Sequence, residues 1–250
     1  MAEFGKSESS ENIYIEEPEH LEGSKPIIAC IGTEKEHEKG WKQIENINDS
    51  GLDVNFFGKT MELIGKGFKA GGEQTYVISP ITEKPLRTRG LRDCTSVVVV
   101  GTDAKTGEQI SFISHQNPKE FLKDIKDRFT RDFNESLEEL KNRCVPGSID
   151  VVICGGRNNP SAVEGYKNSL KTLSSAINER MGFVPTVICG SKNAGEDDIY
   201  FKPKDRQLHI VRPDGVILDN RSFLATPENI DQIKSAGKDG MEDLSNLHIS

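Results

Sequence analysis

The sequence predicts an α+β fold with a mixed, mostly antiparallel sheet core, and three observations carry that prediction. Two apolar runs, "CTSVVVVGTD" and "EQISFISH", flank the turn-rich "DAKTGEQ" and read as an antiparallel hairpin. A long helical pattern follows, with Leu122, Ile125, Phe129, Phe133, Leu137 and Leu140 at steps of three and four. A strand, helix, strand unit comes next, bounded by "IDVVICGG" and "PTVICG".

In chain order, residues 1–24 are rich in Glu, Ser and Asn and read as a disordered acidic arm. Residues 25–72 read as an N-terminal extension or subdomain. There "KPIIACIG" suits a strand, "GWKQIENI" a short helix and "LDVNFF" another strand, before the glycine-rich "GKGFKAGG". Residues 73–226 form the expected main domain, which opens with the strand "QTYVIS" and continues into the hairpin. Pro118 suits the first turn of the long helix, and "VPGS" ends it. The helix from about Ser161 to Met181 places Val163, Tyr166, Leu170, Leu173 and Ile177 on one face. "DIYFKP", "QLHIVRP" and "GVILD" read as short closing strands, and residues 227–250 as a polar C-terminal tail.

The 250 residues are 34% hydrophobic and 29% charged, which supports a globular core over most of the chain. A net charge of -8 argues against counterion-release binding to nucleic acid and against an anionic membrane surface. No apolar stretch reaches a membrane span and no Sec-type signal opens the chain, so a cytoplasmic location is expected. Export by a route without such a signal is the alternative. The five cysteines are an odd count without a CxxC pair, which suggests neither a disulfide framework nor structural zinc. Cys30, Cys144, Cys154 and Cys189 read as packed thiols.

Cys94 differs, because it stands where the polar loop "TRGLRD" becomes strand. A nucleophilic thiol needs an adjacent base, and the hairpin returns His115 to the same edge of the sheet. His20 and His248 lie in the tails, His37 in a charged run, and His209 within a strand.

The stretch "TRGLRDCTSVVVVGTDAKTGEQISFISHQNP" resembles the core of the CheD family of chemoreceptor glutamine deamidases. That family has a Thr-x-x-Leu-Gly-Ser-Cys pattern, a hydrophobic strand, a turn, and a His near the end of the next strand. Thr88, Leu91 and Cys94 keep its spacing. The likeness continues through "IDVVICGG" and "TVICGSKNAGEDDIYFKPKDRQLHI" and covers roughly residues 73–215. It implies an α-β-β-α layered sandwich, with Cys94 as nucleophile, His115 as general base and Thr88 as the residue that orients the imidazole. Local sequence leaves Thr88 equally open to a turn or strand-entry role.

The implied activity is deamidation of glutamine side chains on a partner protein through a thioester, with no metal or organic cofactor. The partner would be a chemoreceptor or, by likeness to the cytotoxic necrotizing factor type of deamidase, a host protein met by a bacterial effector. A non-catalytic binding module with a packed Cys94 is the alternative of a different class. This chain departs from the family in having Arg92 and Asp93 before the cysteine. Asp93 opposes thiolate formation and Arg92 favours it.

Overall fold

The computed structural model describes residues 25–33, 35, 51–55, 60–71, 75–118, 126–156, 163–190, 196–212 and 222–232. Among them are twelve strands and four α-helices, the first being the short α1 (Thr60–Ile64), arranged as two mixed sheets with helices packed on one of them. The α+β sandwich expected from the sequence is the observed architecture. No helix among the described residues is long and apolar enough to cross a membrane.

The centre of the seven-stranded sheet is the expected hairpin, β6 (Thr95–Thr102) with β7 (Gln109–Gln116). Val97, Val98, Val99 and Val100 are all fully buried, because β6 lies between neighbours in its sheet and is covered on both faces. The turn forms as its residues dictate: the Asp103 carboxylate accepts the amides of Lys105 and Thr106, and Gly107 supplies a positive φ. On the far side of β6 runs β8 (Asp150–Gly155), which pairs in parallel with β9 (Thr186–Cys189) across the helix of the predicted strand, helix, strand unit. The sheet is completed by β3 (Lys69–Ala70) and β4 (Tyr76–Ile78) at one edge and β12 (Ser222–Leu224) at the other.

Alternation along β6 sends successive side chains to opposite cores. Val97 and Val99 face the helices α2 (Lys126–Arg143) and α3 (Val163–Met181), where Phe129 stacks on Phe133 and meets Tyr76 edge-on. Residues 119–125 of the predicted long helix fall outside the described residues. Val98 and Val100 face the second, five-stranded sheet and meet Leu86, Ile199, Phe201, Leu208 and Ile210.

That second sheet has the order β1 (Ile28–Thr33), β11 (Gln207–Arg212), β10 (Asp197–Lys202), β5 (Leu86–Leu91), β2 (Leu52–Asp53). Residues from the 25–72 segment therefore supply both of its edges, with β1 parallel to β11 and β2 parallel to β5. The expected short helix "GWKQIENI" lies outside the described residues, as does the expected strand "GVILD".

Two stretches differ from their sequence reading. "LRTRGL", open to reading as a turn, is strand β5, held between β10 and β2; Leu86, Thr88 and Leu91 are buried while Arg89 is exposed. The polar tail expected from Pro227 begins instead with a short helix, α4 (Pro227–Gln232). The Thr226 hydroxyl accepts the Asn229 amide at its start, and Ile230 is buried in the helix-side core, an anchor that the polar composition around it conceals.

Candidate functional site

The hairpin register places Ser96 opposite His115 and Thr95 opposite Gln116. Cys94 immediately precedes Thr95 and shares the face of Ser96 and Val98, toward the five-stranded sheet. His115 shares the face of Ile113, also toward that sheet. Cys94 is thus a diagonal cross-strand neighbour of the histidine, a relation that separates positions by about 7–8 Å and remains within reach of a ring side chain.

Thr88 arrives from the other sheet. It sits on β5, opposite Ile199 of β10, and its Oγ1 lies 2.7 Å from His115 Nδ1. This hydrogen bond spans the gap between the two sheets and engages Nδ1 of the ring. Of the three residues, Thr88 and His115 have no exposure, and Cys94 is 8% exposed.

Comparison with protein-family models and with curated proteins finds no match to either. The chemistry must be read from the residues themselves.

Burial pushes the Cys94 thiol up to about 12, and the charges of Asp93 and then Glu196 add to the rise. Burial also holds His115 down to about 3. The resting pair is therefore a neutral thiol beside a neutral imidazole. Of the two charged residues preceding the cysteine, it is Asp93 that acts on the thiol, while Arg92 is turned out to solvent. Asp93→Asn is expected to lower the thiol pKa and speed alkylation of Cys94 at neutral pH about threefold. Iodoacetamide labelling followed by peptide mass mapping measures this; no acceleration would mean the Asp93 charge is screened from the sulfur.

The histidine makes stability pH-dependent in a defined direction. Unfolded, its imidazole takes a proton below about 6.5; folded, it resists until about 3. Between these values the unfolded state binds more protons, so stability is present above pH 6.5 and is lost as pH falls toward 3, by up to about 4–5 kcal/mol. Urea unfolding from pH 7 to pH 4 is expected to show a shallower decline in a His115→Gln variant than in the native chain. Parallel declines would place the sensitivity elsewhere.

Several residues that support this end of the sandwich carry no local motif. The Ser96 hydroxyl donates to the Ser114 carbonyl at 2.5 Å, tying β6 to the peptide that precedes His115. The Gly156 amide donates to the Cys94 carbonyl at 2.7 Å. Gly155, beneath it, has φ +80°, and a Cβ there would stand 2.9 Å from that same carbonyl oxygen. Asp197 and Arg212 form a fully buried ion pair at 3.0 Å. The one available signal for the pair was a charge at the outer end of each apolar run, "DDIYF" and "LHIVR". His209, read from the sequence as a strand residue, lies 6.1 Å from the ring of Tyr200 on the five-stranded sheet.

Proposed function

We propose that the protein is a cysteine amidohydrolase that deamidates glutamine side chains of a partner protein, in the manner of the CheD-type deamidases its core sequence resembles. The observation that carries this reading is the Thr88 to His115 hydrogen bond made across the sheets at the end where Cys94 stands. Any buried imidazole needs a hydrogen-bond partner; what supports the reading is that the partner is Thr88, the residue that the CheD-like pattern puts in the orienting role, at the end of the sheet where Cys94 stands.

In this mechanism His115 carries its proton on Nδ1, donated to Thr88 Oγ1, and Nε2 accepts the thiol proton as sulfur bonds to the amide carbon. Charge collects on the former amide oxygen, where backbone N–H groups near Cys94 would hold it. The C–N bond then breaks as Nε2–H delivers its proton to the departing ammonia. Water, deprotonated by His115, hydrolyses the thioester to glutamate and returns the thiol. The neutral resting pair suits a site that waits for its substrate: a docked protein surface excludes water, and proton transfer accompanies attack instead of preceding it. A cytoplasmic location belongs to the same reading, and the net charge of -8 suits an enzyme that acts on a protein and not on nucleic acid.

The exposures of the cysteines support a direct test. Cys30 is more exposed than Cys94, so accessibility alone ranks Cys30 first toward an electrophile. Activation by His115 instead predicts labelling at Cys94 that falls in His115→Ala. A Cys94 that labels slowly and identically in both proteins would support the binding-module reading.

Thr88→Val keeps the shape and removes the hydroxyl. It is expected to lower turnover about 10- to 100-fold with little change in substrate affinity, because the ring loses its tautomer and direction. Ammonia release from glutamine-bearing proteins measures it, with Thr82→Val as the comparison. Equal activities of the two variants would reduce Thr88 to a strand residue.

A further inference from the structure

The stretch around Cys94 is held from both sides, and the two holds converge on one buried ion pair. Arg212, at the end of β11, directs Nε and Nη2 to the Asp197 carboxylate at 3.0 and 3.3 Å. The same Nη2 reaches the Cys189 carbonyl at 2.5 Å, which belongs to β9 in the other sheet. Gly190, next in chain, donates its amide to the Gly156 carbonyl at 3.0 Å, and Gly156 donates to the Cys94 carbonyl. On the opposite side, Asp197 pairs through its backbone with Leu91, three residues before Cys94, at a register shift between β10 and β5. There the Asp198 carboxylate takes the Gly90 amide at 2.8 Å.

We infer that the Arg212 and Asp197 pair is the positioning element of the candidate site, setting where the Cys94 backbone lies relative to His115. The inference rests on the deamidase reading for its catalytic meaning, and Arg212 is a positioning residue because it acts through Cys189, Gly190 and Gly156.

Two physical arguments favour positioning over bulk stability. An apolar pair of similar volume often stabilises a fold as well as a buried ion pair does, so stability alone gives little reason for charges here. The planar guanidinium can serve a carboxylate and a carbonyl together in fixed directions, which a hydrocarbon cannot do and a lysine ammonium does poorly. Beside the pair the ladder slips by one residue, with three steps on β5 (Thr88 to Leu91) against two on β10 (Ile199 to Asp197), the kind of irregularity that re-aims side chains next to sites.

Two variants test it: Arg212→Lys, and Asp197→Leu combined with Arg212→Met, which removes both charges together. Amide hydrogen exchange of Gly156 and Gly190 is read against Val98 and Val99 in the same protein. Alkylation of Cys94 by iodoacetamide is read in the presence of His115 and in the His115→Ala background. Both variants are expected to speed exchange at Gly156 and Gly190 about tenfold, leave Val98 and Val99 protected, and shrink the His115-dependent part of alkylation by a similar factor.

Unchanged glycine exchange in a folded variant overturns the inference. So does a uniform rise at all four amides, or failure of both variants to fold, since each describes a merely structural pair. A native protein whose Cys94 alkylation is indifferent to His115→Ala would sink the deamidase reading instead, and the glycine exchange would still decide the positioning claim.

Discussion

Cys94→Ser is expected to reduce ammonia release from a glutamine-bearing protein by about a thousandfold or more, and His115→Gln by about 10²- to 10⁴-fold. Serine nearly matches cysteine in shape, so this variant should fold and melt close to the native protein. The loss is chemical, since a hydroxyl in an environment that already holds a thiol up to about 12 is a far poorer nucleophile. The double variant should be little worse than Cys94→Ser alone, because thiol and imidazole act as one unit and their effects do not add. Full retention of activity in Cys94→Ser would move the nucleophile elsewhere. A double variant with the product of both losses would mean that the two residues act independently.

Gly190→Ala should have the largest effect on the fold at the candidate site. A Cβ at that position would stand 2.2 Å from the Gly156 carbonyl oxygen and 3.1 Å from its carbon, both main-chain atoms that cannot swing aside. The chain must separate β9 from the Gly155–Gly156 turn, at a cost of about 3 kcal/mol or more. Separation also releases the Gly156 amide from Cys94, so the folded fraction should lose the His115-dependent part of Cys94 alkylation. Gly107→Ala is the control. Gly107 has φ +74° and a Cβ there would meet nothing within 4 Å. Only the backbone preference is lost, at a cost of about 1 kcal/mol. Chemical denaturation of the two variants compares them; equal midpoints would show that the turn beneath Cys94 yields without resistance.

The hairpin and the strand, helix, strand unit were legible because their signals are local. Two apolar runs joined by Asp, Thr and Gly leave the chain few ways to pair, and that register alone brings Cys94 and His115 to one end of the sheet. The α2 and α3 faces were legible for the same reason, since their apolar positions repeat at helical spacing. β5 was hidden because "LRTRGL" mixes its inward-facing leucines and threonine with two arginines and a glycine. Its strand character comes from the partners on either side, and neither is near it in sequence.

By itself the sequence determined which residue types stand at the mouth of the hairpin and the cross-strand relation of Cys94 to His115, because pairing within a short loop depends on local pattern. Only the tertiary structure decided that Thr88 meets His115, that Arg212 grips Asp197 and a carbonyl of the opposite sheet, and that glycines lie beneath Cys94. Those contacts join strands far apart in the chain across two sheets. Sheet-on-sheet packing is set by the burial of whole faces, among them Val98, Val100 and Ile113 against Leu86, Phe201 and Ile210, and no window of sequence contains both faces. The same packing takes His115 and Cys94 out of water, and that desolvation, more than any neighbouring charge, sets the protonation state from which the chemistry must start.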